Sequence, residues 1–89
     1  MEPEFIRKYA SRIAQVFADR VFNAKSRYEA DHYVKYVEDR RDFWKRVAQL
    51  PPDSEHWELV KGYMSLMSDP KATKIQQRNL YKFLQEKVR

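Results

Sequence analysis

The chain has 89 residues and a single glycine, Gly62. Glycine supplies the left-handed backbone of tight turns and two-residue hairpins. A chain with only one can make few sharp reversals, and the elements between them must be long. Prolines at 3, 51, 52 and 70 mark where elements start or stop. A hydrophobic content of 43% with 15% aromatics is too rich for a disordered chain. Together these features predict an all-α fold. We expect one domain over residues 1–89, a compact bundle of four helices at about 3–25, 27–50, 54–68 and 70–88. It becomes three helices if the first two are continuous.

Apolar spacing supports each helix. In the first, Pro3 suits the opening position, and Glu2 and Glu4 suit the positive end of the helix dipole. Ile6, Ala10, Ile13, Phe17, Val21 and Ala24 recur at helical spacing, and Phe5, Tyr9 and Val16 widen that arc. Without a break, residues 3–50 would make one helix of roughly 70 Å, too long for a compact domain of this size. Ser26 and Glu29 match a capping box, which predicts the break there. The second helix carries a broad aromatic face of Tyr33, Tyr36, Val37, Phe43, Trp44, Val47 and Leu50, and Pro51-Pro52 ends it. Arg40 falls inside that apolar arc. It reads as an arginine laying its stem on the core, or as an anchor for an anionic partner. In the third helix Trp57, Leu59, Val60, Tyr63, Met64, Leu66 and Met67 cover more than half the circumference, and Gly62 sits mid-helix on the polar edge.

Several functions are disfavoured. There is no cysteine, so disulfide, thiolate and Cys-zinc chemistry are out. That usage fits a cytoplasmic protein. The first residues carry acids and no apolar core, unlike a signal peptide, and no apolar run approaches a membrane span. His32 and His56 lie on different helices with no ligand partner at i+4, so no metal is expected. A chain with one glycine cannot build the usual phosphate-cradling loop, and no cofactor is expected. With no nucleophile–base arrangement visible either, the chain does not read as an enzyme.

Charge is more informative. The net charge of +5 is uneven: residues 1–27 carry +3, residues 51–68 carry −2 and residues 69–89 carry +4. In the last stretch Asp69 and Pro70 suit the cap and first position of a helix. At about 100° per residue, Lys71, Lys74, Arg78, Lys82 and Arg89 form one stripe, with Gln85 filling its gap. Ala72, Leu80, Phe83, Leu84 and Val88 occupy the opposite side, and Ile75 and Tyr81 flank the stripe. Cations at this spacing match a row of phosphates. Gln77, Asn79 and Gln85 suit base edges, and Tyr81 and Ile75 suit packing on a sugar or base. The third and fourth helices then read as a helix-turn-helix-like pair.

Residues 71–85, KATKIQQRNLYKFLQ, also resemble the final part of the helical core-binding domain of tyrosine recombinases. There a Thr opens a helix that ends in an aromatic-Leu pair, here Thr73 and Phe83-Leu84. The resemblance covers those residues alone, with no catalytic domain beside them.

The leading expectation is a small non-enzymatic nucleic-acid-binding protein, with DNA as the favoured partner. Its contact residues would be Lys71, Lys74, Ile75, Arg78, Tyr81, Lys82, Gln85 and Arg89, helped by Arg7, Lys8 and Arg12. The alternative is a protein-interaction module, an adaptor or small inhibitor, that binds an acidic or mixed apolar and acidic partner through Ile75, Tyr81 or spare aromatics of the second helix. A basic face that is merely solvated is the third reading. A membrane partner is not expected, because the apolar face is needed for the core. A homodimer stays open.

Overall fold

A computed structural model describes residues 3–89 and shows four helices and no strand among them. They are α1 (Pro3–Ser26), α2 (Asp31–Ala48), α3 (Trp57–Ser68) and α4 (Lys74–Lys87). The all-α expectation holds. Glu2, invoked for the start of α1, lies outside the described residues.

α1 and α2 form an antiparallel hairpin. Its base is tied by Arg7, whose Nε donates to the Ala48 carbonyl at 3.3 Å, and its far end by the Lys25–Glu38 ion pair at 3.5 Å. Along their contact the buried residues of α1 include Ala10, Ala14 and Ala24. These small side chains let the helix axes approach closely. α3 and α4 pack across the base of the hairpin. There Ile6, Ala10 and Ala14 meet Phe43, Trp44 and Val47, then Trp57, Val60 and Tyr63, then Tyr81, Leu84 and Val88. Phe43 lies at the centre of the aromatics. Its ring meets Trp44 at 5.1 Å, Tyr63 at 6.0 Å and Tyr81 at 4.8 Å, each edge to face. These are favoured pairings of aromatic quadrupoles.

The connections correct three expected helix ends. Ser26 and Glu29 make no capping box; Ser26 is the last residue of α1. The helix closes with the Tyr28 amide donating to the Lys25 carbonyl at 3.2 Å and the Glu29 amide to Ala24 at 2.9 Å. This is a Schellman closure, and it puts Tyr28 at φ 54°, where glycine is usual. Ala30 precedes α2 and offers no side-chain cap. α3 begins at Trp57 rather than Ser54. Ser54 Oγ accepts the His56 amide at 3.1 Å, and the Trp57 indole donates to the Pro51 carbonyl at 2.7 Å. Asp69 and Pro70 do not open α4. Asp69 Oδ1 accepts the Lys71 amide at 2.9 Å and holds a turn. Thr73 is the true cap: its Oγ1 accepts the Gln76 amide at 3.1 Å, and Gln76 Oε1 accepts the Thr73 amide at 2.9 Å. Two reciprocal bonds satisfy two backbone donors where Asp69-Pro70 would satisfy one.

Gly62 serves no close crossing, because a Cβ built there would meet nothing within 4 Å. Phe5, Tyr9, Val16, Tyr33, Tyr36 and Met67, all expected on apolar arcs, remain substantially exposed. Among the described residues no helix is long and apolar enough to cross a membrane.

Candidate nucleic-acid interface

The orientation of α4 determines the site. Its inward residues are Gln77, Leu80, Tyr81, Leu84 and Val88, whereas Phe83 is 47% exposed. On a helical wheel this moves the docking face about 60° from the one expected by apolar content alone. The cause is the aromatic cluster. Tyr81 turns in to meet Phe43 and Tyr63, and Phe83 turns out, where the Lys87 ammonium sits 5.3 Å from its ring.

This rotation carries the basic stripe with it. Lys74, Arg78 and Lys82 are exposed, but they line a groove between α4 and α2 and do not lie opposite the core. The groove has a volume of about 760 Å³. Tyr36, Asp39 and Arg40 of α2 form its second wall, with Ile75 and Gln85 on the α4 side.

Arg40 is the residue that sequence reasoning left out of the site. Its guanidinium lies 3.6 Å from the centre of the Tyr81 ring and 5.3 Å from that of Tyr36. Its Nη1 donates to the Tyr63 hydroxyl at 2.7 Å. Stacking and one hydrogen bond hold the planar cation in place, and its other N–H donors meet no partner among the described residues. Burial pushes the Tyr81 hydroxyl up to about 12, against the opposing pull of the Arg40 charge. Burial raises Tyr63 as well, again opposed by Arg40. Both phenols are therefore neutral at ordinary pH and do not cancel the guanidinium charge. The one signal in the sequence was the placement of Arg40 inside the aromatic arc of α2.

Among the described residues no carboxylate lies within ion-pair distance of Arg40, Lys74, Arg78 or Lys82. Asp39, the acid lining the groove, is 3.4 Å from Lys35.

The remaining expected contact residues divide. Ile75 is 69% exposed at the groove edge, and Gln85 lines it half-buried. Tyr81 is corrected: at 7% exposure it belongs to the core and offers no surface for a base. Lys71 sits in the turn before α4, off the helical stripe. Arg89 lies beyond the helix end, 3.5 Å from Glu86. Gln77 is half-buried, and its side chain donates to the Leu66 carbonyl at 3.4 Å. Arg7, Lys8 and Arg12 border a separate depression with Glu4, Ser11 and Ala48, so the two basic ends of the chain do not meet in one groove. Among the described residues no three metal-binding side chains gather.

The chain matches no family model, and neither a curated protein nor a solved structure matches it.

Proposed function

We propose that this chain is a small non-enzymatic nucleic-acid-binding protein whose contact surface is the α2/α4 groove. The observation that carries the reading is the gathering of Arg40, Lys74, Arg78 and Lys82 around one groove whose lining includes a single acid, Asp39, itself paired with Lys35; among the described residues none of the four cations has a carboxylate within ion-pair distance. Four cations against one acid leave the groove with an excess of positive charge, and a partner that brings phosphates relieves the repulsion and releases counterions. Arg40 is preorganised by stacking, so binding costs little side-chain entropy there.

A labelled pool of single- and double-stranded oligonucleotides tests this by fluorescence anisotropy. Binding should weaken steeply with salt, and the double variant Lys74→Glu/Arg78→Glu should abolish it. Both positions are exposed, so the variant keeps its helical circular dichroism. Absence of binding at low salt, or equal binding by the variant, refutes the reading.

A protein-docking module is the second reading, favoured by the exposed rings of Phe5 and Tyr9 beside Met64 and Met67. Under it, Phe5→Ala would weaken capture of the partner, while Lys74→Glu/Arg78→Glu would have a smaller effect.

A further inference from the structure

We infer that the groove takes single-stranded nucleic acid in preference to a duplex, an inference that rests on the nucleic-acid reading and narrows it. The argument begins with what the most outward side of α4 carries. A helix that reads a major groove must present its contact residues on the side that protrudes. In α4 the outward side holds Ile75, Asn79, Lys82 and Glu86, with Phe83 beside them, all exposed. Only one of the five is a cation, it is offset by an acid, and two are large and apolar, a poor set to press against duplex phosphates. Lys74 and Arg78 stand about a quarter turn or more away, and with Lys82 at the rim they line the groove with α2.

A duplex carries its phosphates on the outside of a stiff cylinder and cannot follow cations into a groove walled by a second helix. A single strand can, because its backbone bends and its bases are free to turn aside.

The second wall supplies what a single strand needs. Tyr36 is 48% exposed and borders the same groove, with the Arg40 guanidinium 5.3 Å from its ring. Stacking on a tyrosine face is open to any unpaired base and closed to a paired one. Ile75, 69% exposed on the facing helix, adds an apolar contact across the groove. The arrangement interleaves cations with one accessible ring and one aliphatic side chain. Sugar-phosphate would run along Lys74, Arg78 and Lys82, spaced over about 12 Å of helix. A base would lie against Tyr36, and Arg40 would serve both. Gln77 is taken up by the Leu66 carbonyl, which leaves Gln85 as the one spare amide side chain lining the groove among the described residues, so binding tolerates sequence.

The test compares labelled oligo-dT, oligo-U and a mixed-sequence duplex of equal length, titrated by anisotropy with the full chain. Each single strand should bind at least tenfold tighter than the duplex, and the two strands separate DNA from RNA as the partner. Contacts to three or four phosphates give a log–log salt slope of about −2 to −3, a loss of about 20–50-fold between about 50 and about 200 mM salt. Tyr36→Ala should weaken single-strand binding about tenfold without changing the melting temperature or the residual duplex binding. Lys74→Glu/Arg78→Glu should remove both. Duplex binding as tight as single-strand binding, or a Tyr36→Ala variant with unchanged affinity, overturns this inference and leaves the broader proposal standing. No binding of any probe overturns both.

Discussion

The orientation of α4 can be tested by exchanging the fates of two neighbouring aromatics. Tyr81 is 7% exposed and Phe83 47% exposed. Truncating Tyr81 to alanine removes a ring that meets Phe43 at 4.8 Å and carries the Arg40 guanidinium at 3.6 Å. Large-to-small changes of a buried aromatic cost about 3–5 kcal/mol. A chain of this length has a total stability of roughly 5–13 kcal/mol, so Tyr81→Ala should remove a large part of it. Phe83→Ala loses a half-exposed ring and one surface cation–π contact with Lys87, and should cost about 1 kcal/mol or less. Tyr81→Phe supplies the control. Its hydroxyl is buried with no hydrogen-bond partner among the described residues, so deleting it should leave stability unchanged or raise it by up to about 1 kcal/mol. Urea unfolding followed by far-UV circular dichroism gives all three values. Phe83→Ala costing more than Tyr81→Ala would place α4 in the orientation expected from apolar content alone. The groove, and every functional statement built on it, would then fall.

Two further predictions concern ionisation and backbone strain. Tyr81 binds its proton more tightly folded, near 12, than unfolded, near 10.0. The folded chain thus retains protons that the unfolded one loses in that window. The contribution is full below pH 10 and falls as pH rises towards 12, by about 2 kcal/mol. Chemical denaturation across that range should show the fall, and Tyr81→Phe should lessen it; an identical fall in the variant would exclude Tyr81 as the cause. Tyr28 adopts φ 54° with its side chain 94% exposed, so Tyr28→Gly should relieve backbone strain and sacrifice almost no packing. The expected gain is about 0.5–1 kcal/mol, a few degrees in melting temperature, and a loss would mean that the ring makes a contact the fold depends on.

Much of the core was legible from spacing. Ile6, Ala10, Val21, Ala24, Val37, Phe43, Trp44, Val47, Trp57, Val60, Tyr63, Leu84 and Val88 stand on expected apolar faces and are buried. Pro51-Pro52 stops α2 close to the expected place, because proline withholds a donor and forbids helical backbone before it. The starts of α2, α3 and α4 were misread for a common reason. Ser26, Ser54 and Asp69 are all adequate caps, and composition cannot rank one adequate cap above another a few residues away. Of the candidate site, Lys74, Ile75, Arg78, Lys82 and Gln85 were named from the sequence and do line one groove, whereas Arg40 was read only as a core arginine or an anionic anchor and Tyr36 only as part of an aromatic face, neither assigned to this site, and Tyr81 was misplaced.

What the sequence determined alone was the helical class, the excess of positive charge in its last stretch and the periodicity that aligns those charges. These depend on residues close together in the chain, through backbone geometry that acts locally. The tertiary structure decided the rest. The apolar residues of α4, Ile75, Leu80, Tyr81, Phe83 and Leu84, are spread around the helix, so more than one rotation would bury an acceptable apolar face. The choice was made by shape, because the Phe43–Tyr63 cluster accepts the Tyr81 ring and leaves Phe83 outside. A turn of about 60° took the cations from the outer surface of α4 to the wall of a groove, where Arg40 joins them from α2.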